Sequence, residues 1–311
     1  MSLKERLQNL PLKGVDPKNN EKTISYSQYS VWRQCKFRWG LEYRDKKKLY
    51  LPSMPAIFGT AIHETIQQYF ALKYEISLKE ANNLDLIDFF KTKLINGYKK
   101  GLETNNNVHF STAKELNEYF EDGVNILTFF KDEHERYFDG DYELLGIEIP
   151  LVLNVNPLYD KIYLKGFLDL VFYDHQNKRI KIYDLKTSYK AWSDEVKKDD
   201  VKKQQLILYK IFFAKQLNVE VEDIDVEFII MKRKVYSGPD FTPKRFQSFV
   251  PSAGKNSMNK ANRDINQFIT ESFNVDGSYK DTIYPKNPSP SNCLYCSFKN
   301  DKSICDKDVV L

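Results

Sequence analysis

Two short apolar runs constrain this chain more than any other feature: Lys165-Gly166-Phe167-Leu168-Asp169-Leu170-Val171 and Lys181-Ile182-Tyr183-Asp184-Leu185-Lys186-Thr187. Each has the length and composition of a buried strand. Each also carries one carboxylate where an ionised group is costly unless it is paired or metal-bound. A polar loop, Asp174-His175-Gln176-Asn177-Lys178, joins them. Because side chains alternate along a strand, Asp184 and Lys186 share one face and Leu185 points to the other, into the core. Nineteen residues beyond Lys186, Gln205-Leu206-Ile207-Leu208-Tyr209 sets Gln205 and Tyr209 at i and i+4 on one helical face. Far upstream, His63 stands in Phe58-Gly59-Thr60-Ala61-Ile62-His63-Glu64.

Cutting a phosphodiester needs a nucleophilic water and somewhere to put developing negative charge, and a divalent metal supplies both. Mg²⁺ and Mn²⁺ prefer hard oxygen donors, usually one or two carboxylates completed by water and substrate phosphate. Asp169 and Asp184 meet that need, and the Lys186 ammonium beside them is a candidate to orient the water or stabilise charge in the transition state. Taken singly these features are ordinary. D-x-K at a strand edge is common, and a lone histidine on an amphipathic helix is more often structural than a ligand. The set as a whole points to metal-dependent phosphodiester cleavage.

The order His63, Asp169, Asp184-x-Lys186 and Gln205-x-x-x-Tyr209 resembles the PD-(D/E)XK nuclease superfamily, and within it the RecB-like branch. The resemblance covers about residues 25–75 and 140–305. The superfamily's proline slot holds Leu168 here. The resemblance implies an α/β fold with a restriction-endonuclease-like core, a central mixed sheet flanked by helices, plus a helical insertion. It implies that His63, Asp169, Asp184 and the Leu185 carbonyl bind Mg²⁺ or Mn²⁺ and that Lys186 assists the attacking water. It further implies that Gln205 and Tyr209 contact DNA or support the site. The expected activity is that of a metal-dependent DNA exonuclease acting on free, single-stranded ends in replication, recombination or repair. No G-x-x-x-x-G-K-[ST] motif is present, so unwinding would fall to a helicase or recombination partner. The alternatives are a non-catalytic or partner-dependent DNA-binding module, and an endonuclease using the same site.

Four cysteines are present. Cys293, Cys296 and Cys305 form C-x2-C-x8-C, and Cys35 stands alone near the N-terminus. No signal peptide is read, so an intracellular, cytoplasmic protein of bacterial or phage type is expected, and disulfides explain the cysteines poorly. Four thiolates suit either a 4Fe–4S cluster or zinc, which spacing alone does not separate. The resemblance favours the iron–sulfur cluster: a subset of RecB-like nucleases holds one with a single N-terminal and three C-terminal cysteines. This chain departs from them in its last spacing, with eight residues where about five are usual. A link from position 35 to 293 closes a loop of 258 residues. The chain-entropy model values that at roughly 5–6 kcal/mol, so a structural staple holding the N-terminal helix and tail over the DNA path is expected.

The length suffices for a full core, and no run of 18 apolar residues reads as a membrane span. The net charge is only +4. Locally, residues 33–48 set seven cations (Arg33, Lys36, Arg38, Arg44, Lys46, Lys47, Lys48) against Glu42 and Asp45, with Trp32, Phe37, Trp39 and Tyr43 interleaved. Such a segment either tracks phosphate with aromatic stacking faces or folds with its aromatics in the core. Lys232-Arg233-Lys234 is a second, weaker phosphate candidate.

Residues 1–22 read as a poorly ordered leader and 23–311 as a single domain. A helical insertion is expected at about 76–140, beside the DNA channel, and a cluster-binding segment at about 285–311. Helices are expected near 25–43, 56–73, 78–100, 112–138, 197–217 and 254–275. Strands are expected near 142–154, 160–174, 178–187 and 223–232, with an edge strand at 246–250. Glu148 either adds to the acidic site or faces solvent. His109 and His134 read as surface residues.

Overall fold

The computed structural model describes residues 3–8, 21–47, 51–236 and 244–305. Among the described residues, six strands form a mixed sheet: β1 (Lys22–Ser25), β2 (Tyr142–Asn154), β3 (Ile162–Asp174), β4 (Arg179–Ser188), β5 (Ile224–Lys232) and β6 (Phe246–Phe249). Their order is β1-β3-β4-β5-β6, with β2 paired to β3. The β1·β3 and β4·β5 pairs are parallel, and β3·β4 and β5·β6 are antiparallel. Helices flank this central sheet, an arrangement consistent with a restriction-endonuclease-like fold. The chain falls into two compact units, one within Met1–Gln8, Leu51–Ile149 and Phe167–Ser252, the other within Asn9–Tyr50, Pro150–Gly166 and Ala253–Leu311.

The first unit is built on the helix Met54–Ala71, which opens with Pro55 in its first turn. Its apolar stripe, Phe58, Ala61, Ile62, Ile66 and Phe70, is buried. That stripe packs with Phe90, Phe130, Leu170, Phe172, Tyr183 and Leu185 into one core. The helix expected at 78–100 is two, Leu78–Asn83 and Leu86–Thr104. The break comes at extended Leu84, after which Asp85 accepts from the Ile87 and Asp88 amides (3.0 Å each) and caps a new helix. The helix Ala113–Glu133 crosses its partner closely: a Cβ on Gly123 would stand 2.2 Å from the Phe90 ring. Beyond its end, His134 is buried, contrary to the surface position expected. It sits against the rings of Tyr69 and Phe130, with Nδ1 3.0 Å from the Phe130 carbonyl oxygen. His109 is exposed. The helix expected at 197–217 is also split, into Asp194–Lys198 and Asp200–Leu217, because Asp199 leaves the helical conformation to cap Val201. Most of the leader expected at 1–22 lies outside the described residues. Within it, Leu3–Gln8 forms a helix whose Arg6 donates to the Leu217 carbonyl (3.0 Å).

In the second unit, β1 runs parallel to the first residues of β3, and Ser25 caps the helix Tyr26–Gln34. Cys35 is extended and interrupts what was expected as one helix, followed by Lys36–Trp39 and a π-turn at Gly40–Arg44. Trp32 and Trp39 are core residues packed on Phe268, and Trp39 also meets Phe273, Tyr279 and Tyr284. They are therefore not stacking faces for bases. The basic segment is also neutralised internally: Arg33 pairs with Asp264 (2.7 Å), Arg38 with Glu42 (2.6 Å), Arg44 with Asp45 (2.6 Å), and Lys36 with Glu271. Lys48 lies outside the described residues.

The contact of Gly123 with Phe90 is testable by a double-mutant cycle in urea. Phe90→Ala is expected to cost about 3–5 kcal/mol, and Gly123→Ala about 1–3 kcal/mol by overpacking. In the Phe90→Ala background the Gly123→Ala cost is expected to vanish, and strict additivity would show that the two do not share this contact.

Candidate active site

The antiparallel ladder of β3 and β4 runs from Asp174↔Arg179 to Leu170↔Tyr183 and stops there. Asp169 and Asp184 are the next residues on the two strands, at the point where the ladder opens. Beyond it, the Leu185 amide donates to Asp169 Oδ2 (2.7 Å), so a carboxylate takes over from a backbone carbonyl as acceptor. β4 stays paired with β5 on its other edge, through Asp184↔Phe228, Lys186↔Ile230 and Ser188↔Lys232. That pairing holds the D-x-K segment extended. Leu185 and Tyr183 enter the core, and Asp184 and Lys186 take the opposite face.

Four further side chains meet these two acids. His63, on the helix Met54–Ala71, brings Nδ1 to 3.6 Å from Asp169 Oδ2. The helix comes close to β4 here, since a Cβ on Gly59 would lie 3.2 Å from Thr187 Oγ1. Lys186 forms an ion pair with Asp184 Oδ2. From the helix Asp200–Leu217, Gln205 Nε2 donates to Asp184 Oδ1 (3.1 Å) and lies 3.4 Å from the Tyr209 hydroxyl. The structure thus brings His63, Asp169, Asp184, Leu185, Lys186, Gln205 and Tyr209 together.

Gln67 was missed by sequence reading. It is buried, and its Nε2 donates both to Glu148 Oε1 (2.7 Å) and to the Asp169 carbonyl (3.2 Å). The available signal was its position one turn after His63, on the same helix face. Glu148 is otherwise exposed and sits in β2 with φ +50, a backbone conformation a glutamate adopts only when its surroundings impose it. It is close enough to raise the affinity of both His63 and Asp169 for protons.

Burial dominates the electrostatics. It raises Asp169 to about 6 despite Lys186, and Asp184 to about 6 despite Lys186, with Asp169 adding to the rise. Burial and then Lys186 lower His63 to about 4, so its imidazole is neutral at pH 7. Burial pulls the Lys186 ammonium down, and Asp184 and Asp169 outweigh it, so it is held above the ordinary lysine range. Burial, then Asp184, raise the Tyr209 phenol to about 12.

The donor set is a neutral imidazole, two carboxylates and a nearby backbone carbonyl, which suits a hard divalent cation. Asp184 Oδ2 is buried without a hydrogen bond in good geometry, and the Lys186 ammonium faces it as counter-charge. Among the described residues, no group of three or more His, Cys, Asp and Glu is drawn together into a metal-binding set as the side chains stand. The ammonium meanwhile supplies the positive charge that the buried acids need.

A second feature lies wholly within the other unit. Cys35, Cys293, Cys296 and Cys305 all line one hollow, with Phe37, Leu41, Pro288 and Phe298 as apolar wall and Arg38, Lys286 and Lys299 as cations. Asn287 donates to the Gln34 carbonyl (2.9 Å) and the Phe37 amide to the Pro285 carbonyl (3.3 Å), which ties the C-terminal segment beside Cys35. Burial pushes the Cys296 thiol up, and Cys293 and Cys35 add to it.

The PD-(D/E)XK nuclease superfamily model matches residues 23–306, so the chain belongs to that superfamily. Its members are generally metal-dependent nucleases, and DNA is the substrate the family implies. A search of curated proteins finds no match. Among solved structures the chain is similar to the crystal structure of SSO0001, at 13% identity over 95% of this chain and 91% of that one. The TM-score is 0.35. No described helix is long and apolar enough to cross a membrane.

The raised carboxylates make a pH-dependent prediction. Relative to an ordinary value of 3.8, Asp169 and Asp184 near 6 contribute stability below pH 4 that is lost as pH rises through 6. His63, lowered from 6.5 to about 4, has the opposite sign: its contribution is present above 6.5 and lost as pH falls through 4. A divalent cation at the acids competes with their protons. Mn²⁺ is therefore expected to raise the thermal midpoint at pH 8 and to lose that effect below about pH 6. Asp169→Asn should abolish the shift at pH 8, and an equal shift at pH 5 and pH 8 would place the ion elsewhere.

Proposed function

We propose that this protein is a divalent-metal-dependent DNA exonuclease of the RecB-like kind, acting on free single-stranded ends in replication, recombination or repair. One observation carries the reading: Asp169 and Asp184 converge where the β3·β4 ladder opens, with Lys186 on the face of Asp184 and His63 beside Asp169. A bound Mg²⁺ or Mn²⁺ would supply an activated water and a clamp for phosphate charge. His63, Asp169, Asp184 and the Leu185 carbonyl would hold it.

The protein's own groups do the rest. Gln205 fixes the Asp184 carboxylate through Oδ1, leaving Oδ2 directed at the site. Gln67 fixes Glu148 and, through the Asp169 carbonyl, the backbone of β3 where its ladder with β4 stops. The Lys186 ammonium pairs with the Asp184 carboxylate inside the site. There it can orient a water for in-line attack or stabilise a phosphate oxygen. The neutral His63 imidazole is in the form that ligates a cation. End-dependence and strand preference rest on the resemblance of the His63 and Gln205-x-x-x-Tyr209 motifs to the RecB-like branch.

The test is cleavage of end-labelled single-stranded, duplex and covalently closed circular DNA with Mg²⁺ or Mn²⁺. Linear single strands are expected to be degraded and circles spared. Asp184→Ala is expected to abolish cleavage, and Lys186→Ala to slow it by about 10²–10⁴-fold, with unfolding midpoints near wild type. Full activity in either variant would remove these residues from the site, and cutting of circles would make the protein an endonuclease.

The cysteine hollow supports a 4Fe–4S cluster held by Cys35, Cys293, Cys296 and Cys305, with nearby cations offsetting its negative charge. Protein purified anaerobically is then expected to be brown and Cys293→Ala colourless. One equivalent of zinc in colourless wild-type protein would replace iron by zinc in this reading.

A further inference from the structure

Beyond Lys186, the strand that carries the acids runs into a basin lined by Lys190, Ala191, Lys232, Lys234, Val235, Tyr236 and Lys244. Its volume of about 780 Å³ is in the range of ligand-sized clefts. The register connects it to the site. Lys232 is the β5 partner of Ser188, two positions beyond the Lys186↔Ile230 pair, and aligned partners present their side chains on one face. Lys232 therefore lies on the face of Asp184 and Lys186, about 7 Å further along the sheet. The backbone around it is fastened: the Lys232 amide donates to Arg245 O (2.8 Å), Arg233 to Ser188 O (2.8 Å) and Lys234 to Tyr189 O (2.9 Å).

The cations of this region divide into two groups. Arg233 and Lys234 both pair with Asp122 (2.8 and 2.7 Å) and are spoken for. Among the described residues, Lys190, Lys232 and Lys244 have no carboxylate partner. Burial first, then Arg245 and Lys244, lower Lys232, so the groups facing it from the residues just before β6 are themselves cations. Holding like charges together in a fastened strand pair is unfavourable without an anion between them. Two tyrosines accompany them, Tyr189 and Tyr236, exposed by 58% and 80%. Lysines without counter-charges beside exposed aromatic faces are the composition of a surface for single-stranded nucleic acid, whose bases are free to stack.

We infer that Lys190, Lys232 and Lys244, with Tyr236, form the track that holds the single DNA strand next to the scissile phosphate. The inference rests on the nuclease reading for the identity of the strand. Phosphates lie on the three ammonium groups and an unpaired base lies on Tyr236. The track enters the site from the Lys186 side, so the strand reaches the acids along β4 and β5.

The test measures binding apart from cleavage. The anisotropy of a labelled single-stranded oligonucleotide is followed against salt for wild type, Asp184→Ala, and the triple variant Lys190→Gln, Lys232→Gln, Lys244→Gln. The triple variant is expected to bind about 10–100-fold more weakly. Its log–log salt slope should fall by about 2, from three phosphate contacts at roughly 0.7 each. Tyr236→Ala is expected to weaken binding about ten-fold with the salt slope unchanged. The triple Lys→Arg variant should restore both affinity and slope, which separates lost charge from misfolding. Unchanged affinity and slope in the triple Gln variant would overturn the track, as would a loss confined to duplex DNA. A wild type that binds the strand with the expected slope but cleaves nothing would refute the nuclease reading and leave the track standing.

Discussion

The hydrogen bond from the Leu185 amide to Asp169 Oδ2 is the point on which the site depends. It lies where two antiparallel strands part company, and it satisfies an amide that the lost ladder would otherwise leave bare. A carboxylate in that position is held at low dielectric beside a second one, an arrangement that is costly because burial strips both of water. Lys186 offsets it with an ammonium, and Gln205 offsets it with an amide donor to Asp184. The parallel pairing of β4 with β5 supplies the rigidity, because it continues four residues past Asp184. The acids are thus presented by a ladder open on one edge and closed on the other.

Charge compensation sorts the rest of the surface. In the segment after Tyr26, four cations have acidic partners within the same unit, and the aromatics between them are core. That segment is positive on paper and largely neutral in space. The basin beyond Lys186 is the reverse, modest in sequence, with Lys190, Lys232 and Lys244 lacking a carboxylate partner among the described residues. Counting basic residues along a chain does not separate these cases, since a pair such as Arg33–Asp264 joins positions 231 residues apart.

Much of the site was legible from sequence, for reasons that are local. Period-two alternation put Asp184 and Lys186 on one face and Leu185 in the core, and i,i+4 spacing put Gln205 and Tyr209 together. The strands β2 to β5 stand within two residues of their expected limits because their apolar runs are bounded by turn residues. The errors were local too. Asp85 and Asp199 are strong caps inside stretches of good helical pattern, and each starts a helix where continuity was expected. His134 looked polar and terminal, yet beside the local Phe130 it meets Tyr69 from a helix 65 residues upstream.

The sequence by itself determined which residue types stand on which face of each strand and helix, because backbone periodicity is a local property of the chain. It also determined that two carboxylates would sit in apolar strands and need compensation. Only the tertiary structure decided what compensates them. Gln67 and Glu148 meet across 81 residues, and the register that puts Lys232 on the face of Lys186 pairs residues that are distant in the chain, Ser188 with Lys232. Such contacts depend on long-range packing and on where a ladder stops, which no local pattern encodes.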